Sequence, residues 1–161
     1  DKPSEKIYEN ITSNPRAYFV KVVIKKNDKE EELATIASNN FDPSISATSQ
    51  DLGISSDISD SHVYIASYRD SQIQLNVETK NTAPLILSNV NYPGWKAFID
   101  GKEEKIFNAN SIFQLMIIPE GKHSLVVKFE PKSFSYGLIL MTIGIIGTFS
   151  LTVYSWRKKF L

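Results

Sequence analysis

Apolar and polar residues follow different rhythms in different parts of this chain. From His62 onward the period is two. Val63 and Ile65 alternate with Tyr64 and Ala66, and Ile73, Leu75 and Val77 alternate with Gln72, Gln74, Asn76 and Glu78. Successive side chains of a strand point to opposite faces, so this period predicts a sheet with one buried face. Residues 84–90 form the next predicted strand, followed by Tyr92-Pro93-Gly94-Trp95. Proline presets φ at the first central position of a turn and glycine tolerates positive φ at the second, which predicts a type II turn. Residues 95–99 and 103–107 flank Asp100-Gly101, a hairpin signal. Residues 112–118 and 124–129 flank Pro119-Glu120-Gly121-Lys122, which predicts a second hairpin.

Upstream the pattern is less regular. Residues 7–12 are short and ambiguous, and Asn14-Pro15 breaks them. Residues 18–24 are aromatic and β-branched and read as one strand. Asp28 is placed to cap a brief helix over residues 29–37, whose acidic first turn suits the positive end of the helix dipole. Phe41-Asp42-Pro43 closes that unit. Residues 44–61 hold seven serines and three aspartates with Ile45, Leu52, Ile54 and Ile58 between them, a loop broken by one short strand. Six or more short strands separated by turns predict a mainly β fold, a β-sandwich or jelly-roll-like domain with one short helix. Trp95, Ile99, Leu115, Val127 and Phe129 are expected between its two sheets.

After residue 133 the alternation stops. Residues 134–156 are 23 positions without a formal charge, and Arg157-Lys158-Lys159 follows at once. As a helix this stretch is about 35 Å long, enough to cross a hydrocarbon core of about 30 Å. It lacks the polar face of a surface helix, so a single C-terminal transmembrane helix is expected. The chain thus divides into a lead-in over 1–13, an extracytoplasmic β-domain over 14–131, a membrane helix over 132–156 and a basic cytoplasmic tail over 157–161. The orientation comes from the basic cluster after the span, against Lys132 alone just before it. An outward-facing domain that begins at Asp1 with no export signal is expected to be a processed protein or the end of a longer polypeptide.

Charge sharpens this picture by exclusion. The chain has 18 basic and 18 acidic residues, but three of the basic ones lie in the final segment, leaving 15 against 18 in the first 133. A mildly acidic domain with dispersed basic residues offers no footprint for nucleic acid. Absence of cysteine excludes disulfides and thiolate chemistry. Asp57 with Asp60 and Asp100 with Glu103 fall in loop or turn sequence and read as solvated surface. His62 and His123 stand 61 positions apart, without a metal-ligand spacing. No phosphate-binding loop appears, so no catalytic residue, cofactor or metal site is expected. Asn10-Ile11-Thr12 fits the glycosylation acceptor pattern.

Tyr92 and Trp95 are the residues most like a ligand platform, since sugars stack their C–H faces on aromatic rings, although an indole after a Pro-Gly turn is more often a core plug. Arg16 is expected to pair with a carboxylate of the domain or to meet a neighbouring loop. Gly137, Gly144, Thr148 and Ser155 are spaced by seven, four and seven, which places them near one helix face where small residues admit another helix. Tyr136, Tyr154 and Trp156 suit aromatic belts at the two membrane interfaces.

Four landmarks in order resemble the C-terminal region of YfhO-type bacterial and archaeal membrane proteins. They are Asn14-Pro15-Arg16-Ala17-Tyr18-Phe19-Val20, Asn40-Phe41-Asp42-Pro43, the stretch 85–101 with its Tyr-Pro-Gly-Trp turn and Asp-Gly hairpin, and Pro119-Glu120-Gly121-Lys122-His123 with Phe129-Glu130-Pro131-Lys132-Ser133-Phe134. The resemblance implies kinship with membrane-embedded glycosyltransferases that use polyprenyl-phosphate-linked sugars. It carries no catalytic residue here, because in that superfamily those lie between N-terminal membrane helices. The leading expectation is a non-catalytic, membrane-anchored accessory or structural subunit that meets the lipid bilayer and other integral membrane subunits. The alternatives are the C-terminal domain of such a glycosyltransferase, meeting a glycan or lipid-linked sugar, and a stand-alone anchored glycan-binding module.

Overall fold

A computed structural model describes residues 13–159. The ambiguous residues 7–12, the acceptor pattern Asn10-Ile11-Thr12, nearly all of the 1–13 lead-in and the last two residues of the tail lie outside the described residues. The elements in chain order are β1 Ala17–Phe19, β2 Val22–Lys25, α1 Lys29–Ile36, β3 Ser46–Ser49, β4 Ile54–Ser55, β5 His62–Arg69, β6 Gln72–Thr79, β7 Ala83–Val90, β8 Trp95–Ile99, β9 Lys102–Glu104, β10 Phe107–Ala109, β11 Phe113–Ile118, β12 Gly121–Phe129 and α2 Lys132–Lys159.

The strands form three sheets, ordered β5-β6-β12-β8-β9, β1-β7-β11-β10 and β3-β2-β4. The mainly β sandwich expected from the sequence is present, with a third, smaller layer added. The four-stranded sheet is the middle layer. One of its faces packs Phe19, Leu85, Leu87, Met116 and Ile118 against Ile73, Leu75, Ile99, Leu125 and Val127 of the five-stranded sheet. Its other face packs Ile86 and Leu115 against Val23 and Ala47 of the small sheet. This explains why β7 does not alternate: Leu85, Ile86 and Leu87 are all fully buried, as a strand covered on both faces requires.

Several expectations change as a consequence. Leu115 is buried, but in the second core and not between the two large sheets. Trp95 and Phe129 are only partly buried and sit at one end of the sandwich. The single strand expected over 18–24 is two: β1 pairs with β7, and β2 pairs with β3 and β4, so the chain changes layer at buried Val20. Residues 103–107 likewise split between β9, on β8, and β10, on β11. The second predicted hairpin does not form. β11 pairs with β7 and β10 while β12 pairs with β6 and β8, so residues 119–120 carry the chain between sheets. The serine-rich 44–61 region contains two short strands instead of one.

Other local readings hold. Asp28 caps α1 by accepting from the Glu31 amide at 2.8 Å, and Asp100 with Gly101, both at positive φ, closes the β8–β9 hairpin. α2 runs unbroken for 28 residues and continues past residue 156 through Lys159.

The register sorts the turns to two ends of the domain. At the end where α2 begins, the Phe129 amide donates to Ser71, the Glu130 amide to Gly94 and the Asn91 amide to Ile112. The Asp100-Gly101 turn and the Glu120-Gly121 crossover lie at the far end, where the Asp100 amide donates to Ser124.

Candidate functional site at the strand–helix junction

The turn 92–95 is built as its residues require. The Trp95 amide donates to the Tyr92 carbonyl at 3.3 Å, and Gly94 at the second central position has φ 116°. A side chain at Gly94 would lie 2.9 Å from the Phe129 ring and 3.1 Å from the Pro131 Cα, so glycine is also needed for close approach. The Gly94 carbonyl accepts from the Glu130 amide at 2.7 Å. The turn therefore grips the chain just before Lys132, where α2 starts.

Above it, Trp95 packs on Phe129 with ring centroids 5.2 Å apart, and Tyr92 lies 6.5 Å from the same ring. Trp95 also packs against the sandwich core, whereas Tyr92 is 64% exposed. An open groove of about 380 Å³ runs beside them, with Lys96, Glu103, Lys105 and Asn108 among its walls. Lys96 lies 3.4 Å from Glu130 and 3.9 Å from Glu103, and Asn91 donates to the Asn108 side chain at 2.8 Å. Among the described residues this surface presents the exposed Tyr92 ring beside several polar side chains.

Among the described residues Arg16 meets Tyr68. Its guanidinium lies 4.7 Å from the Tyr68 ring centroid and Nη1 donates to the Tyr68 hydroxyl at 2.9 Å. It joins the start of β1 to the end of β5.

On α2, Gly137, Gly144, Thr148 and Ser155 fall within about 20° of one line at 100° per residue. A side chain at Gly137 or Gly144 would meet nothing within 4 Å, and none of the span is buried against the rest of the described chain. Thr148 returns its hydroxyl to the Gly144 carbonyl at 2.9 Å, which satisfies it within the helix.

Three polar features escaped the sequence reading. Glu32 is 1% exposed, yet its carboxylate accepts four hydrogen bonds, each at 3.0 Å, from the Thr48 hydroxyl, the Gln50 amide, the Ser111 backbone amide and the Ser111 hydroxyl. Burial alone pushes its pKa up, but these donors outweigh it and hold the carboxyl below its ordinary value. His123 stands with Nδ1 2.6 Å from Asp100 and Nε2 3.1 Å from the Glu120 carbonyl, and the Asp100 hydrogen bond and then the Glu120 one raise its pKa. Gln114 is fully buried, and among the described residues neither of its amide atoms has a hydrogen-bond partner. The Glu32 donors and the Asp100 partner of His123 lie 16 to 79 positions away in the chain, so neither pairing carries a local signature. Among the described residues no group of three His, Asp or Glu side chains could hold a metal ion.

The structure is thus a three-layer β-domain clamped at its end to a helix long and apolar enough to cross a bilayer. Residues 7–141 match the family model described as bacterial membrane protein YfhO, and the chain belongs to that family of membrane proteins. No curated protein matches it. No solved structure matches it.

Proposed function

We propose that the chain is a non-catalytic, membrane-anchored accessory or structural module of a larger membrane assembly. In this reading residues 14–131 form the extracytoplasmic domain, α2 crosses the cell membrane once, and the basic residues from Arg157 stay on the cytoplasmic side. The observation that carries it is the open small-residue face of α2: lipid gives helices little reason to associate, and glycines admit a second backbone closely. Purification in mild detergent with mass analysis tests this. Stable companions are expected, and they should be lost in Gly144→Ile. A protein that runs alone sinks the reading.

One observation favours a second reading, in which the domain serves a polyprenyl-phosphate-sugar-dependent glycosyltransferase or binds glycan by itself. The groove beside Tyr92 and Trp95 opens next to the start of the helix, within reach of a lipid-linked sugar. Titration calorimetry with cell-envelope glycans separates the two. Heat that Tyr92→Ala abolishes supports the second reading, and no heat from the folded protein removes it.

A further inference from the structure

Three large apolar or aromatic side chains stand exposed at the end of the domain where α2 begins: Val90 at 56%, Tyr92 at 64% and Ile112 at 51%. They form one corner. The Tyr92 amide donates to the Val90 carbonyl, the Asn91 amide to the Ile112 carbonyl, and Val90 pairs with Phe113 across β7 and β11. The same loop is tied to the residues just before α2 through Gly94, whose carbonyl accepts from the Glu130 amide and where an added side chain would lie 3.1 Å from the Pro131 Cα.

That tie sets the depth of the corner. Pro131 precedes Phe134, where the uncharged stretch starts, by three residues or about 4.5 Å of helical rise. The headgroup layer occupies roughly 5–7 Å on each side of the hydrocarbon core. With Phe134 at the edge of the hydrocarbon core, Pro131 and the Gly94 loop bonded to the adjacent Glu130 would fall within that layer. Tyrosine suits such a position, with an apolar ring and a hydroxyl that stays wet. Lys96 on this end is already held between Glu103 and Glu130, so the corner attracts lipid through apolar and aromatic contact more than through charge.

We infer that Val90, Tyr92 and Ile112 form a lipid-contacting corner that rests in the headgroup region of the leaflet α2 enters, so that the domain touches the bilayer at a second point besides its helix. This rests on α2 crossing the membrane, and the test separates the two ideas.

The chain has no cysteine, so single cysteines can be introduced one at a time. Tyr92→Cys, Ile112→Cys, the far-end control Lys102→Cys and the helix control Ile145→Cys would each carry an environment-sensitive fluorophore. The full chain would be placed in phosphatidylcholine nanodiscs with spin labels on the headgroup or the acyl chain, and unfolding midpoints checked for each variant. Positions 92 and 112 should show blue-shifted emission and loss of intensity with headgroup labels, while position 102 shows neither. If 92 and 112 match 102 while 145 is quenched by acyl-chain labels, the corner does not touch lipid and the inference is overturned, although the helix crosses. If 145 is not quenched, the membrane crossing itself fails and the inference goes with it. A blue shift at 92 and 112 without headgroup quenching means that protein, such as a second copy, covers the corner, which also overturns it.

Discussion

Replacing Glu32 probes the tie between α1, β3 and the turn before β11. In Glu32→Ala four donors lose their acceptor at once. Thr48 can turn to Asn110, whose Oδ1 is 3.3 Å from its hydroxyl, and Gln50 is exposed enough to find water. The half-buried Ser111 backbone amide cannot re-aim, and leaving it unpaired costs toward the lower end of about 1–3 kcal/mol. Adding the lost charge-assisted bonds gives an expected destabilisation of roughly 2–4 kcal/mol, a large part of the ~5–15 kcal/mol by which a domain is stable. Glu32→Gln should lose only about 1–2 kcal/mol, because its carbonyl can serve Thr48 and the Ser111 amide while Gln50 flips to accept from the new amide. The pH dependence carries a sign. With its folded pKa depressed, Glu32 contributes stability that is fully present above its ordinary value of about 4.3 and is lost as pH falls through the lower folded value. Urea unfolding of the full chain in mild detergent, followed by tryptophan fluorescence from pH 7 down to 3, reads all three quantities. The reasoning is refuted if Ala leaves the midpoint unchanged, if Gln costs as much as Ala, or if the acid loss is as steep in Gln as in the native chain.

Asp100→Asn should lower the pKa of His123, seen by NMR titration of its ring protons; an unmoved titration means the 2.6 Å contact does not govern it. Because the folded pKa of His123 is raised, its contribution to stability is present below about 6.5 and lost as pH rises through the folded value, a slope that Asp100→Asn should flatten. Gly94→Ala should cost at least about 1–3 kcal/mol, since it combines positive φ with a clash against Phe129 and Pro131; an unchanged thermal midpoint would contradict the grip on the helix junction. Gln114→Leu should be neutral or stabilising by about 1 kcal/mol, because it removes two unpaired buried polar atoms. A clear loss of stability there would mean that the amide is engaged by a bound molecule.

Legibility followed the range of the physics. β6 and α2 could be read directly from the chain, since a period of two and a long uncharged run are properties of neighbouring residues. The Pro-Gly and Asp-Gly turns were readable for the same reason: backbone preferences at two adjacent positions determine them. Sheet membership is different. Ile118 and Gly121 flank a turn that resembles a hairpin, yet they enter separate layers, because pairing is settled by which distant strand covers which apolar face. Leu115 and Met116 are both apolar and adjacent, and only the presence of a third sheet explains why both are buried. Glu32 reads locally as one of three acidic residues suited to a helix start, while its real partners are up to 79 positions away. The sequence alone thus established a β-domain, its Pro-Gly and Asp-Gly turns, a terminal helix long and apolar enough to cross a membrane and membership of the YfhO family, all encoded in short windows of chain. Three-dimensional packing alone determined the layering, the buried carboxylate and the clamp that holds the Tyr92 corner at the helix start. Those depend on long-range contacts whose energy is gained only when the whole domain closes.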